Sequence, residues 1–272
     1  MTQCWRSMFL AATAATLLAA AGCSTTVTTA SGPISDPTPT SSTPAEGDPG
    51  RRARVRLELA GAYFSRGQMA VALQEVDRAI AAQPTLGAAY NLRGLILANQ
   101  GDDKAAEESF RKALALNPRD LDALQNYGWY LCQHRRYGEA DQQFVQALAV
   151  PQNREPARTL LAQGVCHTRS GALEEAERAL LRAYETDPNN PTLQYTLAEV
   201  LLRRNEPERA RFYARRINAV PSLISAQTLW LAARIEHKLG NTTGVQDLGA
   251  QLRTRFRESR EAVAFERGQF NE

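Results

Sequence analysis

The four cysteines, and the histidines beside two of them, are the residues of this 272-residue chain whose types could do chemistry. Cys132 lies two residues before His134, and Cys166 directly precedes His167, so a thiolate and an imidazole at either place could bind a metal ion such as zinc. If these segments are helical, residues one or two apart point to different faces, which argues against a shared metal. We therefore expect no bound metal.

No other set of residues has a pattern typical of catalysis. The sequence lacks a Ser/His/Asp arrangement, carboxylates converging from different elements and a glycine-rich phosphate loop. The pairs Glu107-Glu108 and Glu174-Glu175 fit solvated helix faces. Charges of both signs are spread along the chain and sum to +3 at pH 7, which is no footprint of a nucleic-acid-binding protein. We expect no enzyme activity, no cofactor, no small-molecule substrate and no nucleic-acid partner, with a metal or hydrolytic site at the two histidines as the alternative.

The first cysteine-bearing region is the N-terminus. Residues 1–22 have the form of a secretory signal, with one early charge, Arg6, and an apolar run too short to span a membrane convincingly. The run ends in AAGCS at residues 20–24, which resembles a bacterial lipobox. The resemblance implies that Cys23 is lipidated and becomes the mature N-terminus, and that Ser24 favours the outer membrane. The alternative is an ordinary secreted protein with a small-residue cleavage site.

The segment after the signal is polar. Residues 23–50 hold the candidate lipid site and a stretch rich in Thr, Ser and Pro with almost no apolar side chains. Because such a stretch cannot bury a core, we expect a flexible tether. Arg51, Arg52, Arg54 and Arg56 follow it. They could contact anionic lipid head groups or form an ordinary solvated helix face.

The elements that must position the other two cysteines are repeats of about 34 residues. The clearest copy covers residues 87–120, and its pattern predicts two amphipathic helices joined by a turn at Gly101-Asp102 and stopped by Pro118. Small residues at Gly94 and Ala106 would let the two helices approach closely. The offsets resemble those of a tetratricopeptide repeat (TPR).

The same pattern recurs along the chain, at residues 53–86, 121–154, 157–190, 191–224 and 225–259. Arg135 replaces the turn glycine of the third copy, a Glu155-Pro156 insertion precedes the fourth, and Gly244 and Gly249 weaken the second helix of the degenerate sixth. The sequence predicts an all-α fold: a right-handed TPR superhelix of about six helix-turn-helix repeats over residues 51–260. A tail at residues 261–272 would fray or cap it.

Cys132 and Cys166 fall on the first helices of the third and fourth repeats. First helices of adjacent repeats pack side by side, so the two thiols are expected to face each other. In an oxidising periplasm a disulfide is then expected, and the alternative is two unpaired buried thiols. Closing a loop of this length is worth about 3–4 kcal/mol in the chain-entropy model.

The first helices also line the inner face of a TPR superhelix, where such proteins generally bind peptide segments. In that family, counting from the first residue of each repeat, positions two, five, nine, twelve and thirteen face inward, and the resemblance implies the same here. Trp129 is the best single anchor for a partner, although any one of these side chains could instead fill a seam between repeats. The predicted partner-binding groove, apolar with a few amides, consists of Leu57, Phe64, Asn91, Leu95, Ala98, Gln125, Trp129, Leu161, Val165 and Tyr195.

The third repeat carries a more specific resemblance. Residues 125–132, QNYGWYLC, are similar to the N-Y-G-[WF]-[FY]-L-C stretch of the PilF/PilW lipoproteins of type IV pilus biogenesis. The lipobox, the presence of a tether, the repeat number and a second cysteine one repeat later also agree with that family. The length of the Thr/Pro tether departs from it. The resemblance implies a pilotin, an outer-membrane lipoprotein with its repeats in the periplasm.

A pilotin binds subunits of the pilus secretin, helps them reach the outer membrane and promotes their assembly into a multimeric ring. For this chain the resemblance implies pilus secretin subunits as partners, held in the repeat groove without covalent chemistry. The alternative is an outer-membrane TPR lipoprotein that scaffolds peptidoglycan enzymes of the cell wall.

Overall fold

The computed structural model describes residues 48–151 and 153–270. The signal peptide predicted at residues 1–22, the lipid site Cys23 and most of the predicted tether lie outside the described residues. Within them the chain forms thirteen α-helices, one 3-10 turn and no strand. None of these helices is both long and apolar enough to cross a membrane. The predicted all-α TPR solenoid is confirmed.

The helices follow the predicted repeats. The first helix begins at Pro49, two residues before the predicted start of the solenoid, and a 3-10 turn at Pro221–Leu223 precedes the sixth pair. The helices are α1 Pro49–Ser65, α2 Met69–Ala82, α3 Gly87–Gln100, α4 Asp103–Leu116, α5 Leu121–Gln133, α6 Tyr137–Leu148, α7 Pro156–Ser170, α8 Leu173–Thr186, α9 Pro191–Arg203, α10 Pro207–Asn218, α11 Ala226–Lys238, α12 Thr242–Arg255 and α13 Arg260–Glu266.

Side chains in the turns within and between repeats start several of these helices. Asp102, Asp120 and Asn190 each accept a hydrogen bond from the backbone N–H three residues later, at 3.1, 3.0 and 3.1 Å. Such N-caps satisfy backbone donors that have no partner within the helix. At these three turns the chain therefore enters the next helix in a fixed direction.

The turn inside each repeat needs a left-handed backbone. Gly101 and Gly171 supply it with φ of 82° and 85°. Arg135 and Asn205 take the same place in the third and fifth repeats, with φ of 60° and 62°. Asparagine visits this region readily, whereas for arginine it costs about 1–2 kcal/mol. The third repeat therefore keeps the turn geometry at an energetic cost that the glycine-bearing repeats do not have.

Within a repeat the two helices meet at position eight of the first helix. A Cβ atom added at Gly94 would lie 2.8 Å from the Phe110 ring, and one added at Gly164 would lie 2.5 Å from Cγ of Leu180. Phe110 and Leu180 are fully buried. The missing side chain at position eight thus lets a large side chain of the second helix lie against the backbone of the first.

The C-terminal end is covered by α13, so the predicted tail is helical from Arg260 to Glu266. The Phe265 ring lies directly over Gly249, and a Cβ atom there would overlap it. Glycine at position 249 lowers the helix propensity of α12, but it also leaves the space that the Phe265 ring occupies. Trp230 of α11 packs against both Phe265 and Phe270, with ring centroids 6.4 and 5.3 Å away.

Replacing Gly164 with alanine tests the close approach of the paired helices. We expect the free energy of unfolding to fall by about 1–2 kcal/mol, because Leu180 must move in a fully packed site. Urea denaturation followed by circular dichroism measures it. Gly61→Ala is the matched control, since a Cβ atom there meets nothing within 4 Å, and it should stabilise by up to about 1 kcal/mol through helix propensity. Equal stabilisation by both substitutions would contradict the packing argument.

Candidate partner-binding groove

A cleft of about 340 Å³ opens between the first helices of the third and fourth repeats, α5 and α7. Four of the ten predicted groove residues line it: Gln125, Trp129, Leu161 and Val165. Asn126, Arg158, Ala162 and Thr192 complete the lining. The lining is mainly apolar, and Arg158 is the one side chain in it that carries a charge. The cleft can therefore hold a large apolar side chain of a protein segment.

Trp129 is the largest side chain in this lining. It is half-buried, and the Arg169 guanidinium lies over its ring, 4.8 Å from the centroid. This cation–π contact joins α5 to the end of α7 and restricts the ring. A preorganised indole loses little conformational freedom when a partner covers it, which favours an anchor role.

The predicted groove amides serve the scaffold. Gln125 is buried and its Nε2 donates to Oγ1 of Thr159 on α7. Asn91 is also buried, and its Oδ1 accepts a 3.2 Å hydrogen bond from Nδ2 of Asn126. These bonds link first helices of successive repeats. The two amides therefore set the spacing of the helices around the cleft.

The remaining predicted residues lie along other first helices, outside the cleft. Leu57 and Phe64 pack against the core between α1 and α3, and Leu95 and Ala98 pack against the core around Phe110 and Phe144. Tyr195 of α9 packs against the core of the fourth to sixth repeats, and burial raises the pKa of its phenol. These five side chains are all half-buried. The structure thus brings together the groove residues of the third and fourth repeats alone.

A second cleft, of about 610 Å³, follows from the Glu155-Pro156 insertion. Its lining includes both inserted residues and shares Arg158 and Leu161 with the first cleft. Pro156 begins α7, so the insertion moves this helix start away from the regular register. The two clefts therefore adjoin at α7. The insertion is visible in the sequence, whereas the cleft is not.

Some lining residues escaped the sequence analysis for identifiable reasons. Arg158 and Thr192 occupy position two, which the inward-facing pattern already contains, so the same rule could have found them. Asn126 and Ala162 occupy position six, outside that pattern. They line the cleft because α5 and α7 lie side by side at this point, so that neighbouring turns of the two helices face each other.

A disulfide joins Cys132 to Cys166, with their Cα atoms 5.7 Å apart. Both cysteines are buried. Cys132 lies three residues after Trp129 on α5, and Cys166 directly follows Val165 on α7. The covalent bond holds together the two helices that carry the cleft. It therefore limits how far the groove can open or close.

The two histidines beside the cysteines have other partners. Nε2 of His167 lies 3.1 Å from Oδ1 of Asp141, and Nε2 of His134 lies 3.4 Å from Oδ1 of Asp103. Residues 48–151 and 153–270 hold no group of three or more His, Cys, Asp or Glu side chains that could bind a metal ion.

The expectation that Glu107 lies on a solvated helix face is wrong. Its Oε1 lies 2.8 Å from Arg136 in the next repeat and accepts a 3.0 Å hydrogen bond from the Tyr127 hydroxyl. Burial by itself would raise the pKa of Glu107, yet the hydrogen bonds from Arg136 and Tyr127 hold it below its ordinary value. Both of these partners come from the following repeat, so Glu107 contributes to the stacking of the third repeat on the second.

Comparison with known proteins agrees with this architecture. Tetratricopeptide repeat family models match residues 87–120, 109–142, 127–191 and 167–220. These matches support the assignment of residues 87–220 to the tetratricopeptide repeat superfamily.

Within that superfamily the chain is similar to proteins of type IV pilus biogenesis. It is 25% identical over 219 residues to the type IV pilus assembly protein PilF of Pseudomonas aeruginosa, covering 80% of this chain and 86% of PilF. The crystal structure of PilW, a widely conserved type IV pilus biogenesis factor, matches with a TM-score of 0.73 and 27% identity, over 78% of this chain and 97% of PilW.

A structure of Pseudomonas aeruginosa PilF matches with a TM-score of 0.71 and 22% identity, over 81% of this chain and 99% of that one, which supports the shared fold. The predicted resemblance to the PilF/PilW family is confirmed.

The disulfide leads to a stability prediction. Reduction should lower the free energy of unfolding by about 3–4 kcal/mol, because the unfolded chain regains the freedom of a 34-residue loop. Urea denaturation with and without reductant measures the change. The Cys132→Ala/Cys166→Ala variant should not respond to reductant. Alkylation of the unfolded, unreduced protein at position 132 or 166, identified by peptide mass, would contradict the pairing.

Proposed function

We propose that this protein is a non-catalytic pilotin of type IV pilus biogenesis. It is anchored in the outer membrane by lipid on Cys23, with its repeats in the periplasm. Its groove binds subunits of the pilus secretin, and it promotes their delivery to the outer membrane and their multimerisation. The observation that carries the proposal is the similarity to PilF and PilW over about four fifths of the chain.

The groove supports a binding role for the protein. An apolar floor with the half-buried Trp129 offers area for one large side chain, and Arg158 at the edge offers a charged donor to the bound segment. The disulfide between α5 and α7 keeps this surface preformed. A preformed groove lowers the entropic cost of binding an extended segment. Association and lipid sorting are then sufficient for the function, without covalent chemistry.

The proposal predicts a specific defect in a strain that lacks the protein. Heat-resistant secretin multimers should disappear from unheated gels, or the secretin should stay in the inner membrane. The wild-type gene should restore both properties, and Cys23→Ala should not, because the unlipidated chain lacks its anchor. Normal multimers in the outer membrane of the deletion strain would contradict the pilotin function. Co-purification with peptidoglycan hydrolases would then favour the cell-wall scaffold.

Replacing Trp129 with alanine tests the groove directly. We expect secretin binding to weaken at least tenfold, a typical effect for a central aromatic anchor, while the thermal midpoint changes by only a few degrees. Binding of the purified proteins by calorimetry measures the first quantity. Phe212→Ala is the matched control: Phe212 is 53% exposed on α10 and also lies under an arginine, Arg216. Unchanged binding by the Trp129 variant would place the partner elsewhere, and a large loss of stability would make Trp129 a packing residue.

A further inference from the structure

The outer face of α1 carries an exposed apolar stripe. Val55, Leu59 and Ala62 are spaced four and three residues apart, so they lie on one side of the helix. Val55 is 55% exposed and Leu59 is 36% exposed. Ala62 is exposed as well. Large apolar side chains this open are uncommon in the described chain, and two of them occur on this stripe.

Equivalent positions in later repeats explain what this face is. Val55 is at position three and Ala62 at position ten. Residues at these positions in the second to fifth repeats are buried against the repeat that precedes them. They are Ala89, Ala123, Thr159 and Leu193 at position three, and Ile96, Tyr130, Cys166 and Val200 at position ten. The stripe on α1 is therefore a repeat-stacking face that no described helix covers.

Three arginines flank the stripe. Arg51 and Arg52 lie at the start of α1, Arg66 lies at its end, and all three are exposed. Among the described residues none of the three takes part in an ion pair, whereas Arg56, on the other side of the helix, pairs with Glu75 at 2.7 Å. Glu58, the single acidic residue of α1, is also exposed and lies beside the stripe, three residues after Val55, so the arginines outnumber the carboxylate on this side. The face is thus apolar along its centre and basic at both ends.

The charges argue against a second copy as the occupant. Two copies meeting through this face would bring their arginines together. Stacking this face on the C-terminal end of another copy would oppose it to a cleft beside α13. Three arginines, Arg253, Arg257 and Arg267, and one glutamate, Glu266, which pairs with Arg253, line that cleft, so its net charge is positive. Both arrangements place positive charges opposite each other in an interface from which water is excluded, and this repulsion disfavours association. An acidic surface is the complementary one.

We propose that this N-terminal face lies on the surface of an anionic lipid bilayer. The inference rests on the lipid anchor of the proposed function: residues 24–47 join Cys23 to the described chain, and a coil of that length spans about 27 Å. α1 is then the part of the solenoid nearest the membrane along the chain. Its arginines would bind phosphate head groups, and Val55 and Leu59 would enter the interface between them.

The experiment uses the lipidated protein, reconstituted in vesicles, with a polarity-sensitive dye on Val55→Cys. Val145→Cys is the matched control, because Val145 is 53% exposed on α6, away from this face. On vesicles of phosphatidylglycerol and phosphatidylcholine the dye at position 55 should shift to the blue and resist quenching by aqueous iodide. On pure phosphatidylcholine, and at position 145 on either vesicle, it should remain quenched.

Charge variants of the labelled chain separate this face from general attraction. Each arginine near an anionic surface contributes about fivefold to binding, so Arg51→Glu/Arg52→Glu/Arg66→Glu should lower the ratio of docked to undocked protein by more than about a hundredfold. The matched triple variant Arg253→Glu/Arg257→Glu/Arg267→Glu should leave it unchanged. High salt should release the face, because it screens exposed charges.

Two results would overturn the inference. Equal iodide quenching at position 55 on both kinds of vesicle would show that the face stays in water. Protection that appears on phosphatidylcholine only after purified secretin is added would assign the face to a protein. Neither result affects the groove or the secretin assay. Mass spectrometry of Cys23 is done first, since a missing acyl chain would remove the anchor on which docking depends.

Discussion

The close approach of the two helices within a repeat is the constraint on which the structure depends. Where position eight is glycine, position twenty-four is a large side chain, as with Gly94 and Phe110 or Gly164 and Leu180. The first repeat instead pairs Ala60 with a smaller residue, valine. In these repeats a smaller side chain on one helix is thus matched by a larger one on the other. Such matching favours a similar distance between the two helices of each repeat. Only with a constant separation can first helices stack side by side and build a continuous inner face.

On that inner face three specific contacts, one of them covalent, join the first helices of the third and fourth repeats. The disulfide of Cys132 and Cys166, the Gln125–Thr159 hydrogen bond and the Arg169–Trp129 contact all connect α5 with α7. The hydrogen bond lies near the start of the two helices, and the disulfide and the cation–π contact lie toward their ends. Contacts at both ends of the helix pair leave little freedom for sliding, so the cleft between these helices keeps its shape.

Features that depend on contacts within one repeat could be predicted from the sequence. The period, the helix pairs and the left-handed turn at Arg135 all follow from spacings shorter than one repeat. Glu107 was misjudged because its partner Arg136 lies in the next repeat. The larger cleft was missed because it is lined by the inserted Glu155 and Pro156 together with residues of the next repeat boundary, and the repeat period does not describe inserted residues. Gly249 seemed only to weaken a helix because its partner ring, Phe265, comes from beyond the last repeat.

The two ends of the solenoid solve the same physical problem differently. Every repeat has an apolar face on which the next repeat stacks. At each end of the solenoid one such face has no neighbouring repeat, so it must be covered by another segment or remain exposed to water. At the C-terminus the chain covers its own face with α13, and Phe265 and Phe270 pack against Trp230. At the N-terminus the stripe of Val55 and Leu59 stays exposed and is flanked by arginines, which keep it soluble. Because the N-terminal face is kept in water by its flanking arginines and is not buried by another helix, it can still contact a surface of opposite charge. The two ends of the solenoid therefore differ in what they can bind.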